Sequence, residues 1–272
     1  MASSGSGYDL SSSTFSPDGR IFQVEYASKA VENAGTALGL RCSDGIVMAV
    51  EKPLISRMLL ATSSRRIHTV DSHSGVAVTG VVSDARQIVN RAREEALNYE
   101  ETYGTKVQPS VLADRMAAYV HYFTLHGSLR PFGATAILAS YDTETKEPSL
   151  HMVEPSGITY QYFGCAAGKG RQPAKTEMEK LNLANNKEGN DENVIDCKEG
   201  VKQLARIIHL LHDEAKEKPF ELEMSWLCEE SQWEHRGVPK KTIAEAVEWA
   251  KKDIAEEEDE EEEEDDDEAM EE

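Results

Sequence analysis

Residues Phe15 to Ala27 read FSPDGRIFQVEYA and join a turn to a helix without a spacer. In Ser16-Pro17-Asp18-Gly19 the proline presets φ, the aspartate bonds its own backbone and the glycine accepts positive φ, so these four residues predict a tight turn. Beyond it Ile21, Val24, Ala27, Ser28, Ala30 and Val31 recur at helical spacing and predict a short helix ending before Gly35. Such a stripe usually covers the core of its own domain. The polar positions Gln23, Glu25 and Lys29 are left available to neighbouring chains.

Towards the N-terminus, residues 1–7 are small, Gly/Ser-rich and uncharged, a composition that cannot bury enough surface to order itself, and residues 1–14 are expected to be a flexible tail. In the other direction, Thr36 to Cys42 and Ile46 to Val50 flank Ser43-Asp44-Gly45 and predict a β-hairpin. Val76 to Val82 reads as a buried strand, followed by a helix capped by Ser83, striped by Ala85, Ile88, Ala92 and Ala96 and stopped by Gly104. A second helix carries Leu112, Met116, Val120 and Phe123. Strands are expected over 134–141, 150–153 and 158–163, then helices near 174–183 and 198–215 with a solvated loop at 185–193. Phe220, Leu222, Met224 and Trp226 alternate with polar residues, as in a strand with one buried face, and Thr242 with Glu245 reads as a capping box for a last helix. Two groups of strands, each followed by a helix pair, predict an α+β fold built as a four-layer αββα sandwich; the pattern alone leaves other α+β layerings open.

The formal charge is −21, but Glu256 to Glu272 holds fifteen acids and no base, which leaves −6 for everything before it. Scattered basic pairs on a mildly acidic domain argue against a nucleic-acid surface. The acidic run is expected to be a disordered polyanion, solvated or in contact with basic partners. Cys42, Cys165, Cys197 and Cys228 lack metal-ligand spacing and read as buried, reduced thiols. MASSGSGYDL has no apolar signal-peptide core and no apolar run reaches membrane-span length, so a cytosolic or nuclear protein without membrane contact is expected.

With Tyr8-Asp9 ahead of it, the Phe15 to Ala27 stretch resembles the N-terminal signature of the alpha-type subunits of the 20S proteasome. The likeness continues through Arg130-Pro131-Phe132-Gly133 and the run from Gly164 to Leu181, and covers residues 8 to 255. The resemblance implies the sandwich of the N-terminal-nucleophile hydrolases. It implies a non-catalytic subunit of a hetero-heptameric alpha ring, stacked on a beta ring and docked by regulatory particles, in cytoplasm and nucleus, without cofactor or metal. Residues 15–255 are then the proteasome-type domain, with 15–34 as its helix motif. Tyr8, Asp9, Pro17 and Tyr26 match the family's open-gate cluster, although Leu10 stands where many relatives carry arginine. Arg66 matches the lysine that receives the carboxylate of an activator tail; a planar fork replaces a point charge there, and a solvated strand-edge charge is the alternative.

The catalytic relatives use an N-terminal threonine tuned by an aspartate and a lysine. Registering this chain on Gly45 puts Gly35 at the nucleophile's place, Glu51 at the aspartate's and Arg66 near the lysine's, and Thr36 is preceded by the signature helix instead of a disposable leader. No catalytic residue is therefore expected. Other patterns are weaker: Gly164 to Gly170 is one residue short of a phosphate loop and reads as a turn into a helix. His209 and His212 at i, i+3 read as structural, His68 and His73 show no partners in sequence, and Trp226 and Trp233 read as core and loop anchors. A stand-alone threonine hydrolase and a polyanionic interaction protein are the competing readings.

Overall fold

The computed structural model describes residues 7–56, 58–181, 195–213 and 218–271, with side chains described as far as Glu257. The expected loop at 185–193 and the first six residues lie outside them. Helix α1 (Phe22–Glu32) follows the predicted turn, in which Gly19 N–H donates to Ser16 C=O at 2.9 Å and Gly19 takes φ +75°. Strands β1 (Ala37–Cys42) and β2 (Gly45–Pro53) form the predicted hairpin, and β3 (Ile67–Asp71) and β4 (Ser74–Gly80) form a second. Helices α2 (Val82–Tyr103) and α3 (Pro109–Leu125) come next, then β5 (Ala134–Tyr141), β6 (Pro148–Val153), β7 (Thr159–Tyr162) and β8 (Gly164–Ala167). Helices α4 (Arg171–Lys180) and α5 (Cys197–Leu211), strands β9 (Phe220–Cys228) and β10 (Arg236–Gly237), and helix α6 (Lys240–Glu271) complete the chain.

The strands form two five-stranded sheets, β10-β9-β2-β1-β8 and β3-β4-β5-β6-β7, with every neighbouring pair antiparallel. Because side chains alternate along a strand, single strands serve two cores. In β2, Ile46, Met48 and Val50 enter the core between the sheets, while Val47 and Ala49 face the layer of α4, α5 and α6. In β5, Ile137 and Ala139 enter that same central core, and Ala136 and Leu138 face α2 and α3. The result is the αββα sandwich of the N-terminal-nucleophile hydrolase type, with α1 contributing Val31 at the rim of the central core.

Several local expectations change. Ser83 does not cap α2, which begins one residue earlier at Val82 after an extended Val81; Asp84 in the first turn instead binds Arg130 and the Gly133 N–H. The capping box at Thr242 is also absent, because α6 starts at Lys240 and Ile243 N–H already reaches Pro239 C=O. Strand β9 is buried on both faces from Met224 to Cys228, since Met224, Trp226 and Cys228 pack in the core with the helix layer and the second sheet lies against its other face. The backbone of α6 continues through Glu271, where a structureless tail was expected. Glutamate is a good helix former, and a packed first half removes the nucleation cost for the turns beyond it. Arg206 on α5 ties that packed half down, donating to Asp253 at 2.6 Å, to Glu177 at 3.2 Å and to Glu257.

The sheets pack tightly at Gly39, where an added Cβ would lie 2.9 Å from both Ile137 Cγ2 and Leu150 Cδ1. Gly39→Val should therefore force these side chains off their rotamers and destabilise the chain by about 2 kcal/mol. Denaturant unfolding checks this, with an unchanged midpoint counting against so close a sheet contact.

Candidate functional site

Backbone crowds Gly35, the position that counting from the hairpin turn sets against the nucleophile of catalytic relatives. Gly35 sits where β1 enters its sheet, and a Cβ there would lie 2.3 Å from the Glu51 carbonyl oxygen, so no serine, threonine or cysteine fits. Its carbonyl accepts the Thr79 hydroxyl at 2.5 Å. Gly168, held at φ +102°, passes so close that its own Cβ would meet the Gly35 carbonyl at 2.5 Å. The adjacent Thr36 is 3% exposed, its N–H is an amide that donates to Glu51 Oε2 at 3.0 Å, and its hydroxyl oxygen accepts Gly170 N–H at 3.2 Å. A peptide nitrogen offers no lone pair for proton abstraction, so the N-terminal-amine mechanism has no base here.

Glu51, 3% exposed on β2, gathers this region. Besides Thr36 it accepts Lys169 Nζ at 2.8 Å and contacts His212 Nδ1 at 3.0 Å, an arrangement that requires the Nδ1–H tautomer opposite an ionised carboxylate. Burial alone would push the Glu51 carboxyl up, but the bonds from Lys169, the Thr36 N–H and His212 together hold it below its ordinary 4.5. Lys169 is delivered by the turn between β8 and α4, so the glycine-rich run Gly164 to Gly170 turns the chain and places a cation against Glu51. The His209 and His212 rings lie 5.0 and 4.5 Å from the Phe220 ring, so both residues of the HxxH pair take part in packing. Among the described residues no group of three or more His, Cys, Asp or Glu side chains is placed to hold a metal ion.

Arg66 does not meet Glu51; Lys169 does. The Arg66 N–H donates to Glu223 at 2.9 Å and its C=O accepts Val78 N–H, so the residue extends β3 beside β9. Burial lowers the affinity of its guanidinium for its proton, Glu223 opposes that effect and Arg86 adds to it, and the group remains a cation.

At the N-terminal arm, Gln23 on α1 donates its side-chain amide to the Asp9 carbonyl, and Gln23 and Tyr26 share a helix face at i, i+3. Tyr8 and Tyr26 are exposed, and among the described residues no hydrogen bond or ion pair joins the side chains of Tyr8, Asp9, Pro17 and Tyr26 to one another. The arm is anchored further on. Ser12 is 1% exposed and its hydroxyl contacts the carbonyls of His126 and Leu129 at 3.0 and 3.3 Å, against the expectation that 1–14 is uniformly flexible. Arg130-Pro131-Phe132-Gly133 follows directly: Arg130 grips Asp84 through two bonds of 2.6 and 2.8 Å, and that pair holds the Asp84 carboxyl below its ordinary range. Gly133 comes within van der Waals reach of Ala30 on α1.

A family model described as "Proteasome subunit" matches residues 31–227, and a second, for the N-terminal signature of A-type proteasome subunits, matches residues 8–30. The chain belongs to the proteasome subunit family. It is 56% identical to proteasome subunit alpha type-3 of Arabidopsis thaliana, covering 94% of this chain and 98% of that one. It is similar to the alpha type-3 subunit of Spinacia oleracea at 56%, covering 90% and 94%, and to a probable proteasome subunit alpha type-7 of Schizosaccharomyces pombe at 45%, covering 93% and 95%.

For a proteasome subunit of alpha type, the absence of catalysis thus has a steric cause at Gly35 and a chemical one at Thr36. Sequence reasoning placed Glu51 but missed Lys169 and His212, which lie more than a hundred residues away in the chain. The glycines around Lys169 were the available signal, since they mark a turn tight enough to bring its side chain to β2.

Glu51→Ala removes the buried acceptor shared by Lys169, the Thr36 N–H and His212; because Lys169 is 30% exposed, the change should cost about 3 kcal/mol, the lower end for breaking a buried pair. A carboxyl with a lowered folded pKa stabilises above its unfolded value and loses that contribution as pH falls through the folded one. Wild type should therefore lose melting temperature more steeply than Glu51→Gln on acidification below 4.5, as thermal scans at stepped pH will show.

Proposed function

We infer that this chain acts as a non-catalytic member of the alpha ring of the 20S proteasome core particle and that its N-terminal arm takes part in gating substrate entry. The observation that carries the reading is the pairing of an intact alpha-type signature at 8–30 with a nucleophile position that admits no side chain. A stand-alone threonine hydrolase needs a free amine at Thr36, and Thr36 is an interior, hydrogen-bonded residue. The proposed partners are the other alpha subunits, the beta ring and regulatory particles. The chain's similarity to alpha type-3 subunits favours that place in the ring. Four free, buried cysteines suit a reducing compartment, and cytoplasm and nucleus are the proposed location.

In this reading residues 1–14 exchange between packed and released states, with Tyr8, Asp9, Pro17 and Tyr26 biasing the balance. Support comes from the Gln23 bond to Asp9, which brings the arm onto the α1 face carrying Tyr26, and from Ser12, which fixes a hinge behind it. Arg66, half-buried and cationic, is the proposed receiver of an activator's terminal carboxylate. The acidic end is proposed as a contact for basic partners.

Particles reconstituted with Asp9→Ala should show activator-stimulated peptide hydrolysis lowered about threefold, as a bias of about 0.7 kcal/mol produces. Rates unchanged with and without activator would remove this arm from the gate.

A further inference from the structure

All four cysteines are free, and three of them meet. Register sets Cys42 of β1 opposite Gly45 of β2, and Gly45 opposite Cys228 of β9. Directly opposed residues share a face, so the two cysteines stand in one row of the sheet with only a glycine between them. Both enter the core under α5, together with Cys197, the first residue of that helix. The Cys197 N–H is fixed to Asp44 Oδ1 at 2.7 Å, and its thiol lies in the same core cluster as those of Cys42 and Cys228 and interacts with both. Gly200, one turn on, comes so near that an added Cβ would lie 2.6 Å from Cys42 Sγ. The Cys228 sulfur also accepts the Ser231 N–H.

The thiols differ in character. The Cys197 thiol and backbone N–H groups of Ser231 and Glu230 lower Cys228 to about 7 despite its burial, while the neighbouring sulfurs and burial raise Cys197. The three residues are 1–3% exposed, yet their chain neighbours Ser43, Asp196 and Glu229 are exposed, so the cluster lies one residue beneath the surface. Cys165 provides the contrast: it lies in the core between the sheets, and burial pushes it up to about 12.

We propose that Cys42, Cys197 and Cys228 form an oxidation-sensing site at which a hydroperoxide links Cys228 to Cys197. The Cys228 thiolate attacks the peroxide, the O–O bond breaks, and the sulfur becomes a sulfenic acid as the leaving oxygen departs protonated. The Cys197 sulfur then attacks the Cys228 sulfur; the S–S bond forms and hydroxide leaves, taking the thiol proton as water. Two thiols are oxidised and one hydrogen peroxide is reduced to two waters. The bond pins the first turn of α5 to β9, and Cys42 stands ready for thiol exchange.

The test is non-reducing peptide mapping of the folded full-length chain during hydrogen peroxide treatment, with sulfoxide formation at Met58, 95% exposed, as the internal gauge of oxidant dose. A Cys197–Cys228 linked pair should accumulate, revert with a thiol reductant and precede any change at Cys165. Cys197→Ser and Cys197→Ala should both abolish the pair and leave Cys228 at sulfenic acid or higher, with far-UV circular dichroism confirming their fold. The proposal fails if Met58 is fully converted while no pair has formed, or if Cys165 is oxidised in step with Cys228, which marks general unfolding.

Discussion

The Glu51 carboxylate is the constraint on which the interior of this subunit depends. It accepts from the start of β1, from the turn before α4 and from the end of α5, so one side chain on β2 joins three segments far apart in the chain. A buried carboxylate is tolerated only when its lone pairs are taken up, and here a cation, an amide and an imidazole take them up. The backbone of the same residue, paired with the start of β1, lies against Gly35 and leaves no room there for a side chain.

Around that point the sandwich is organised by alternation. β2 and β5 each give one face to the core between the sheets and the other to a helix layer, which makes them buried on both sides and leaves little tolerance for polar substitution. Helix α1 stands at the rim of this arrangement. Phe22, Ala27 and Val31 are buried, whereas Tyr26 and Lys29 remain exposed, so the signature helix both packs on its own domain and presents a surface outward. The buried and the exposed residues of α1 thus lie on different faces.

Much of this was legible in advance. The turn at Ser16 to Gly19, the hairpin at Ser43-Asp44, the stop at Gly104 and the stripes of α2, α3 and α5 follow from local stereochemistry and periodicity. β3 and β8 escaped notice because Ile67 to Asp71 and Gly164 to Ala167 are short, and β8 resembles a glycine-rich loop. The burial of both faces of β9 escaped because its polar residues alternate with apolar ones, and only the packing of the second sheet covers that polar face. Cap residues misled at Ser83 and Thr242, where the helices began earlier than the side chains suggested.

By itself, the sequence determined the local grammar and, through residues 8–30, the family: a signature of that specificity is carried by consecutive residues and needs no fold to be read. It also singled out Glu51 and Gly35 by counting from one hairpin turn, and the two are neighbours in the fold. Only the tertiary structure decided that Lys169 and His212 meet Glu51, that Ser12 is anchored between His126 and Leu129, and that three cysteines spread from 42 to 228 share one core. The physical reason is range. Turns and stripes depend on dihedral preferences within a few residues, whereas a buried charge or a sulfur cluster is made by strand order and sheet packing, which bring together residues that local preference cannot relate.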